Sequence, residues 1–126
     1  MKQRPLSPFM IGPYYRPQLT SMLSITHRLT GVLLSLVGAP LMLWWLAAVS
    51  SGPDAYRSMT AVLGGLPGLA LGLVLLFSLW FHFFNGVRHL VWDTGRMLEL
   101  EAAYRSGWAV LVLSAICTVI TLGVLA

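Results

Sequence analysis

The feature that most constrains this chain is a set of three long apolar runs without Asp, Glu, Lys or Arg. They cover residues 29–53, 58–87 and 106–126. A helix needs about 20 mainly apolar residues to cross the hydrocarbon core of a bilayer. The strands of a membrane barrel would instead show short segments of alternating polarity, and this sequence has no such alternation. The runs therefore predict an all-α membrane protein with three transmembrane helices.

Composition excludes several other classes of protein. The chain is 57% hydrophobic and only 10% charged, whereas soluble domains are about 25% charged. The net charge is +4, but the basic residues flank the apolar runs, a pattern that indicates membrane orientation rather than nucleic-acid binding. The single cysteine, Cys117, excludes a disulfide within the chain and a multi-cysteine metal or iron–sulfur site. We interpret it as a small buried apolar residue.

Residues 1–20 form a proline-rich arm without the continuous apolar core of a cleavable signal peptide. We predict that this arm is cytoplasmic and that residues 21–126 make a single transmembrane domain. Its spans are expected at approximately 22–50, 64–93 and 104–126. Pro40 falls inside the first span, where we expect a kink rather than a break, because neighbouring helices satisfy the freed backbone groups.

The distribution of Lys and Arg predicts the orientation. Four basic residues precede or open the first span and three lie between the second and third, whereas only Arg57 lies between the first and second. Three spans put the two larger groups on one side. The helices are therefore expected to run up-down-up from a cytoplasmic N-terminus, with the second span entering from outside.

Unusual residues concentrate on one stripe of each of the first two spans, because positions three, four, seven and eleven apart share a helix face. The stripe on the second span holds His82, Asn85, Gly86, His89 and Asp93. The stripe on the first span holds Ser24, His27, Arg28, Gly31, Ser35 and Gly38. Both stripes lie near the predicted cytoplasmic ends. Helix packing alone can account for the small residues, but it explains three histidines and an arginine poorly.

Haem is the ligand that suits these residues best. Zinc needs about four closely spaced ligands, whereas His82 and His89 are roughly 10 Å apart along a helix. A carboxylate-based transporter is disfavoured because every acidic residue lies at a span end or in a loop. His82 can supply an axial imidazole, Gly86 one turn away leaves room for the macrocycle, and His27, Arg28 and His89 are candidates to hold the propionates. The lack of a Cys-x-x-Cys-His motif predicts non-covalent, b-type haem.

Since His82 and His89 cannot bind one iron from opposite sides, a six-coordinate haem needs a second histidine from another chain. The chain is thus predicted to provide half of a haem site.

The motifs also carry a family resemblance that spans essentially the whole chain. They are the arm sequence Arg-Pro-Leu-Ser-Pro at 4–8, Ser-x-x-His-Arg-x-x-Gly at 24–31 and His-x-x-x-Gly-x-Arg-His-x-x-x-Asp at 82–93. Together they resemble the cytochrome b556 subunits of succinate dehydrogenase, one of the two membrane anchors of respiratory complex II.

The resemblance implies a multi-pass protein of the bacterial cytoplasmic (inner) membrane that packs with a second anchor subunit into a helix bundle. By itself such an anchor is not catalytic; it holds an iron–sulfur subunit and a flavoprotein subunit, which carry the iron–sulfur clusters and FAD, on the membrane. One haem b is shared between the anchors, with His82 as the axial ligand from this chain. Ser24 and Arg28 match the family's ubiquinone-binding serine and arginine, and His27 and His89 match positions near the propionates.

Two alternatives stay open at the level of sequence. One is the anchor of a related fumarate reductase that uses menaquinol, since the direction of electron flow depends on partner subunits. The other is a haem-free structural anchor whose histidines only hydrogen-bond to neighbouring helices.

Overall fold

The computed structural model describes residues 17–125 as a set of helices with no strand among them. Most of the predicted cytoplasmic arm, residues 1–16, lies outside the described residues. The helices are α1 (Leu19–Leu33), a π-helical turn (Leu34–Gly38), α2 (Ala39–Ser51), α3 (Pro53–Leu63), α4 (Leu66–Asp93) and α5 (Leu100–Leu125). Three helices are long and apolar enough to cross a membrane: Leu19–Ser51, Leu66–Asp93 and Leu100–Val124. The prediction of an all-α chain with three such helices is confirmed, and the direction of insertion stays a prediction.

The first of these helices continues through Pro40, as the sequence predicts. Proline has no N–H to donate, and in an α-helix its ring clashes with the carbonyl four residues earlier. The wider π-helical turn lies directly before Ala39 and Pro40. A π-helix usually occurs in this way, as a single turn inside an α-helix. The departure from α-helical geometry is thus confined to one turn, and α1, the π-helical turn and α2 form one continuous helix.

A short helix, α3, follows α2 and is not predicted by the sequence. Gly52 turns the chain between α2 and α3 with a backbone φ of 104°, a conformation that favours glycine. Pro53 then stands in the first turn, where a missing N–H costs nothing, and Asp54 in the same turn complements the helix dipole. The sequence pattern does not separate α3 from the following span, because the last residues of α3 belong to the second uncharged run. At 11 residues it is too short to cross a bilayer.

Helix α4 packs against α1 on one side and against α5 on the other. Leu23, Phe81 and Val110, one from each helix, form the small apolar core where the three helices meet. Gly107 on α5 lets the end of the Leu23 side chain come within 2.7 Å of where a β-carbon would lie. Much of the remaining surface is exposed Leu, Val, Ile, Phe and Trp, as expected for helices surrounded by lipid or by another membrane subunit.

Candidate functional site

All three histidines meet between α1 and α4. The ring of His27 on α1 stacks on the ring of His82 on α4, with centroids 3.9 Å apart and planes 7° from parallel. The ring of His89, two turns further along α4 than His82, is tilted relative to the His27 ring, and the centroids of these two rings are 5.3 Å apart. The structure therefore brings together the histidines of the two polar stripes, and we refer to His27, His82 and His89 as the histidine cluster.

Gly31 makes the approach of His82 to α1 possible. A β-carbon at this position would lie 2.9 Å from Cε1 of His82, closer than side-chain carbons pack in proteins. Gly86 on α4 is less confined, because a β-carbon there would meet Cε1 of His27 at an ordinary distance of 3.8 Å. The glycine that leaves room for the His82 ring is thus on the opposite helix. The expectation that Gly86 leaves room for a macrocycle concerns a different contact and stays a prediction.

Hydrogen bonds to Nδ1 determine the tautomer of His82. Nδ1 lies 3.1 Å from the backbone oxygen of His27 and 3.3 Å from Oγ1 of Thr30. A carbonyl oxygen only accepts, and the Thr30 hydroxyl already donates to the same His27 oxygen at 2.9 Å. Both contacts therefore require the proton on Nδ1. Nε2 keeps its lone pair, which is the form of imidazole that binds a metal.

The cluster is not fully satisfied by its own chain. Nδ1 of His27 is buried and has no hydrogen-bond partner among the residues that the structure describes. Buried polar atoms in proteins are nearly always hydrogen-bonded, so an orphaned one calls for an explanation such as a ligand or a water molecule.

Ser24 and Arg28 lie one helical turn apart on α1, and His27 lies between them in the sequence. Arg28 is exposed and Ser24 is partly buried. The side chain of His27 packs against α4, whereas the side chain of the next residue, Arg28, is exposed. Neither Ser24 nor Arg28 enters the stack of histidine rings.

A second polar group, between α4 and α5, was missed. Asn85 has no exposed surface and Arg88 is only 6% exposed. The Arg88 guanidinium donates from Nη1 to Oδ1 of Asn85 at 3.4 Å, from Nε to Oγ of Ser106 at 3.0 Å, and from Nη2 to the backbone oxygen of Ala103 at 3.0 Å. It also lies 3.9 Å from the ring centroid of Trp92, within cation–π range.

This arrangement corrects two sequence interpretations. Asn85 was grouped with the histidines on one stripe, but its side chain bonds to Arg88 on the α5 side of α4. Arg88 was counted only as a charge near the cytoplasmic surface, yet it is buried. The three-residue spacing between Asn85 and Arg88 is the signal that would have found the pair, since residues so spaced are neighbours on a helix.

Comparison with known proteins gives a consistent result. Residues 1–121 match the family described as succinate dehydrogenase/fumarate reductase transmembrane subunit. The chain is 36% identical over 119 residues to the succinate dehydrogenase cytochrome b556 subunit of Paracoccus denitrificans, covering 94% of this chain and 89% of the relative. It is 35% identical over 119 residues to the cytochrome b556 subunit of Rickettsia prowazekii, covering 94% and 90%.

A mitochondrial relative is similar as well. The succinate dehydrogenase cytochrome B subunit of Schizosaccharomyces pombe is 39% identical over 118 residues, which cover 88% of this chain and 63% of the relative. The resemblance drawn from the three sequence motifs is thereby confirmed. The chain belongs to the family of succinate dehydrogenase and fumarate reductase transmembrane subunits.

Proposed function

We propose that this chain anchors a succinate dehydrogenase to the membrane, supplies one axial ligand to a haem b and forms part of the ubiquinone-reduction site. The observation that carries the proposal is the position of Nδ1 of His82, 3.1 Å from the carbonyl oxygen of His27. A proton on Nδ1 would donate to that oxygen and leave the lone pair of Nε2 for an iron. Such a hydrogen bond to a backbone oxygen is the usual way in which proteins orient a histidine ligand.

The residues around His82 fit a haem. Gly31 leaves space beside the imidazole ring, and the orphaned Nδ1 of His27 offers a polar contact that the chain itself does not fill. His27, Arg28 and His89 are the groups that would hold the propionates, Arg28 because its charge is fixed. When bound, the haem supplies a one-electron redox centre. The chain's own residues then orient the ligand ring and surround it with apolar side chains.

The same geometry supports a shared site. One imidazole nitrogen leaves a six-coordinate haem one ligand short, and no second histidine of this chain is placed across an iron from His82, because His27 is stacked parallel to its ring. The proposal therefore includes a second anchor subunit with the other axial histidine. An iron–sulfur subunit and a flavoprotein subunit complete the complex, at the cytoplasmic face of a bacterial inner membrane.

Ser24 and Arg28 are proposed to bind ubiquinone. Their positions, one turn apart on α1, let a hydroxyl and a guanidinium face the same ligand. Ser24 can donate a hydrogen bond to a quinone carbonyl oxygen, and Arg28 can stabilise negative charge that develops on the ring oxygen. A site near the membrane boundary also gives water access, which quinone reduction needs because it consumes two protons.

The proposal is tested with the complex coexpressed with its partner subunits, using His82→Ala and, as a matched control, His89→Ala. We expect His82→Ala to abolish or severely disturb the b-type reduced-minus-oxidised spectrum, because an iron ligand is lost. His89→Ala should keep a b-type spectrum, because a residue that contacts a propionate is not a ligand of the iron. Succinate oxidation with an artificial acceptor reports on assembly in both variants. An unchanged spectrum in His82→Ala would refute the axial assignment, and a wild-type complex without a b-type spectrum would refute haem binding altogether.

A further inference from the structure

Arg88 is a buried positive charge without a negative partner. Within residues 17–125 the one ion pair joins Arg57 and Asp54 on α3, and no carboxylate lies within salt-bridge distance of the Arg88 guanidinium. Asn85, Ser106 and Ala103 accept three hydrogen bonds from the guanidinium, one each from Nη1, Nε and Nη2, and all three acceptors are neutral oxygens. These bonds, together with Trp92, hold the side chain in place but leave its charge uncompensated.

Keeping such a charge inside a membrane protein is costly, and ionisable residues at these positions usually serve a function. Packing alone does not call for it, because an uncompensated buried charge destabilises a protein. We propose that the uncompensated charge of Arg88 raises the reduction potential of the haem bound at His82. This inference rests on the proposed function.

The sign follows from electrostatics. Reduction adds one negative charge to the redox centre, and a nearby fixed cation stabilises the reduced form. Arg88 makes no hydrogen bond to the histidine cluster, although His89 is its neighbour in the sequence. Its guanidinium bonds to α5, and Arg88 is six residues from His82 on the same helix, about 9 Å along the axis. It therefore acts through its field and not as a ligand or a hydrogen-bond partner of the haem.

The size of the effect can be worked from distance. We take roughly 15 Å as the separation between the guanidinium and a group bound at His82, and about 20 as the effective dielectric constant. Coulomb's law then gives about a sixfold change in the reduction equilibrium when the charge is removed. For a one-electron couple this corresponds to a potential lower by about 46 mV, at 59 mV per tenfold.

Two substitutions remove the net charge in independent ways. Arg88→Gln deletes the guanidinium and keeps a hydrogen-bonding side chain. Asn85→Asp leaves Arg88 in place and neutralises it with a carboxylate of the same shape. The second change is mild for the hydrogen-bond network, because Nδ2 of Asn85 has no partner among the described residues and Oδ1 continues to accept from Arg88.

Two further variants serve as controls. Arg88→Lys keeps the charge but loses the planar fork that bonds to Asn85, Ser106 and Ala103. Arg105→Gln removes a positive charge from α5 that is exposed and therefore screened by water and salt. Both should leave the reduction equilibrium within about twofold of the wild type, since neither removes a buried charge.

The experiment is a redox titration of the b-type spectrum in the purified complex. Supporting results are a roughly sixfold shift towards the oxidised form in Arg88→Gln and Asn85→Asp, with the two controls near the wild type. If Arg88→Gln loses haem, the redox titration of Asn85→Asp tests the proposal by itself. The proposal is overturned if the charge-removing variants titrate like the wild type, or if Arg88→Lys shifts as far as Arg88→Gln. A wild-type complex that lacks haem would instead refute the proposed function.

Discussion

Gly31→Ala is the substitution that most directly probes the position of His82. The new β-carbon would lie 2.9 Å from Cε1 of His82, whereas non-bonded carbon atoms pack best at about 3.5 to 4.0 Å. The imidazole would have to move by roughly 0.6 Å or more. It cannot retreat freely, because the His27 ring lies against it at a centroid distance of 3.9 Å.

The displacement has two consequences of different size. Overpacking of a well-packed contact costs about 1–3 kcal/mol, and the higher helix propensity of alanine offsets about 1 kcal/mol of that. Stability of the assembled complex should therefore change little. Haem binding should suffer more, because the bond between Nδ1 of His82 and the His27 oxygen is disturbed. Loss of such a supporting contact typically weakens metal binding by about 10- to 100-fold.

The measurement is the haem-to-protein ratio and the reduced-minus-oxidised spectrum of the purified complex. Gly72→Ala is the matched control: it makes the same change within α4, at a position where a β-carbon meets nothing within 4 Å. We expect full haem content in Gly72→Ala and a clear loss in Gly31→Ala after dilution or gel filtration. Equal haem content and identical spectra in the two variants would refute the packing argument for His82.

Three other predictions concern the quinone site, the membrane orientation and the cysteine. Ser24→Ala and Arg28→Ala should each lower quinone reductase activity by about tenfold, because the loss of one hydrogen bond costs roughly 1.4 kcal/mol. Succinate oxidation with an artificial acceptor should persist, and equal losses in both assays would point to failed assembly. A protease-sensitive tag before residue 1 should be cut in inside-out vesicles and protected in right-side-out ones, and the reverse result would overturn the predicted cytoplasmic N-terminus. Cys117→Ser should leave haem content and activity near the wild type, and a large loss in either would contradict the interpretation of Cys117 as an inert residue.

The polar residues of α4 illustrate what can be read from a sequence and what cannot. Helical periodicity correctly indicated that His82 and His89 share a face, because that face is a property of one helix. The assignment of Asn85 to the same face was wrong in effect, since a residue near the edge of a stripe can turn to either neighbouring helix. The Asn85 side chain accepts from Arg88, and Arg88 in turn bonds to Ser106 and Ala103 on α5. No local sequence pattern shows where α5 lies.

The sequence by itself determined the three apolar helices, the polar stripe that carries histidines on each of the first two spans, and the family, because each depends on residue type and on spacing along the chain. The tertiary structure alone decided that Gly31 makes room for His82, that the Nδ1 proton faces the His27 carbonyl, and that Arg88 is buried without a counter-ion. Those facts depend on how α1, α4 and α5 approach one another. A helix fixes the relative directions of its own side chains, but distances between helices arise only when all of the packed faces are satisfied together.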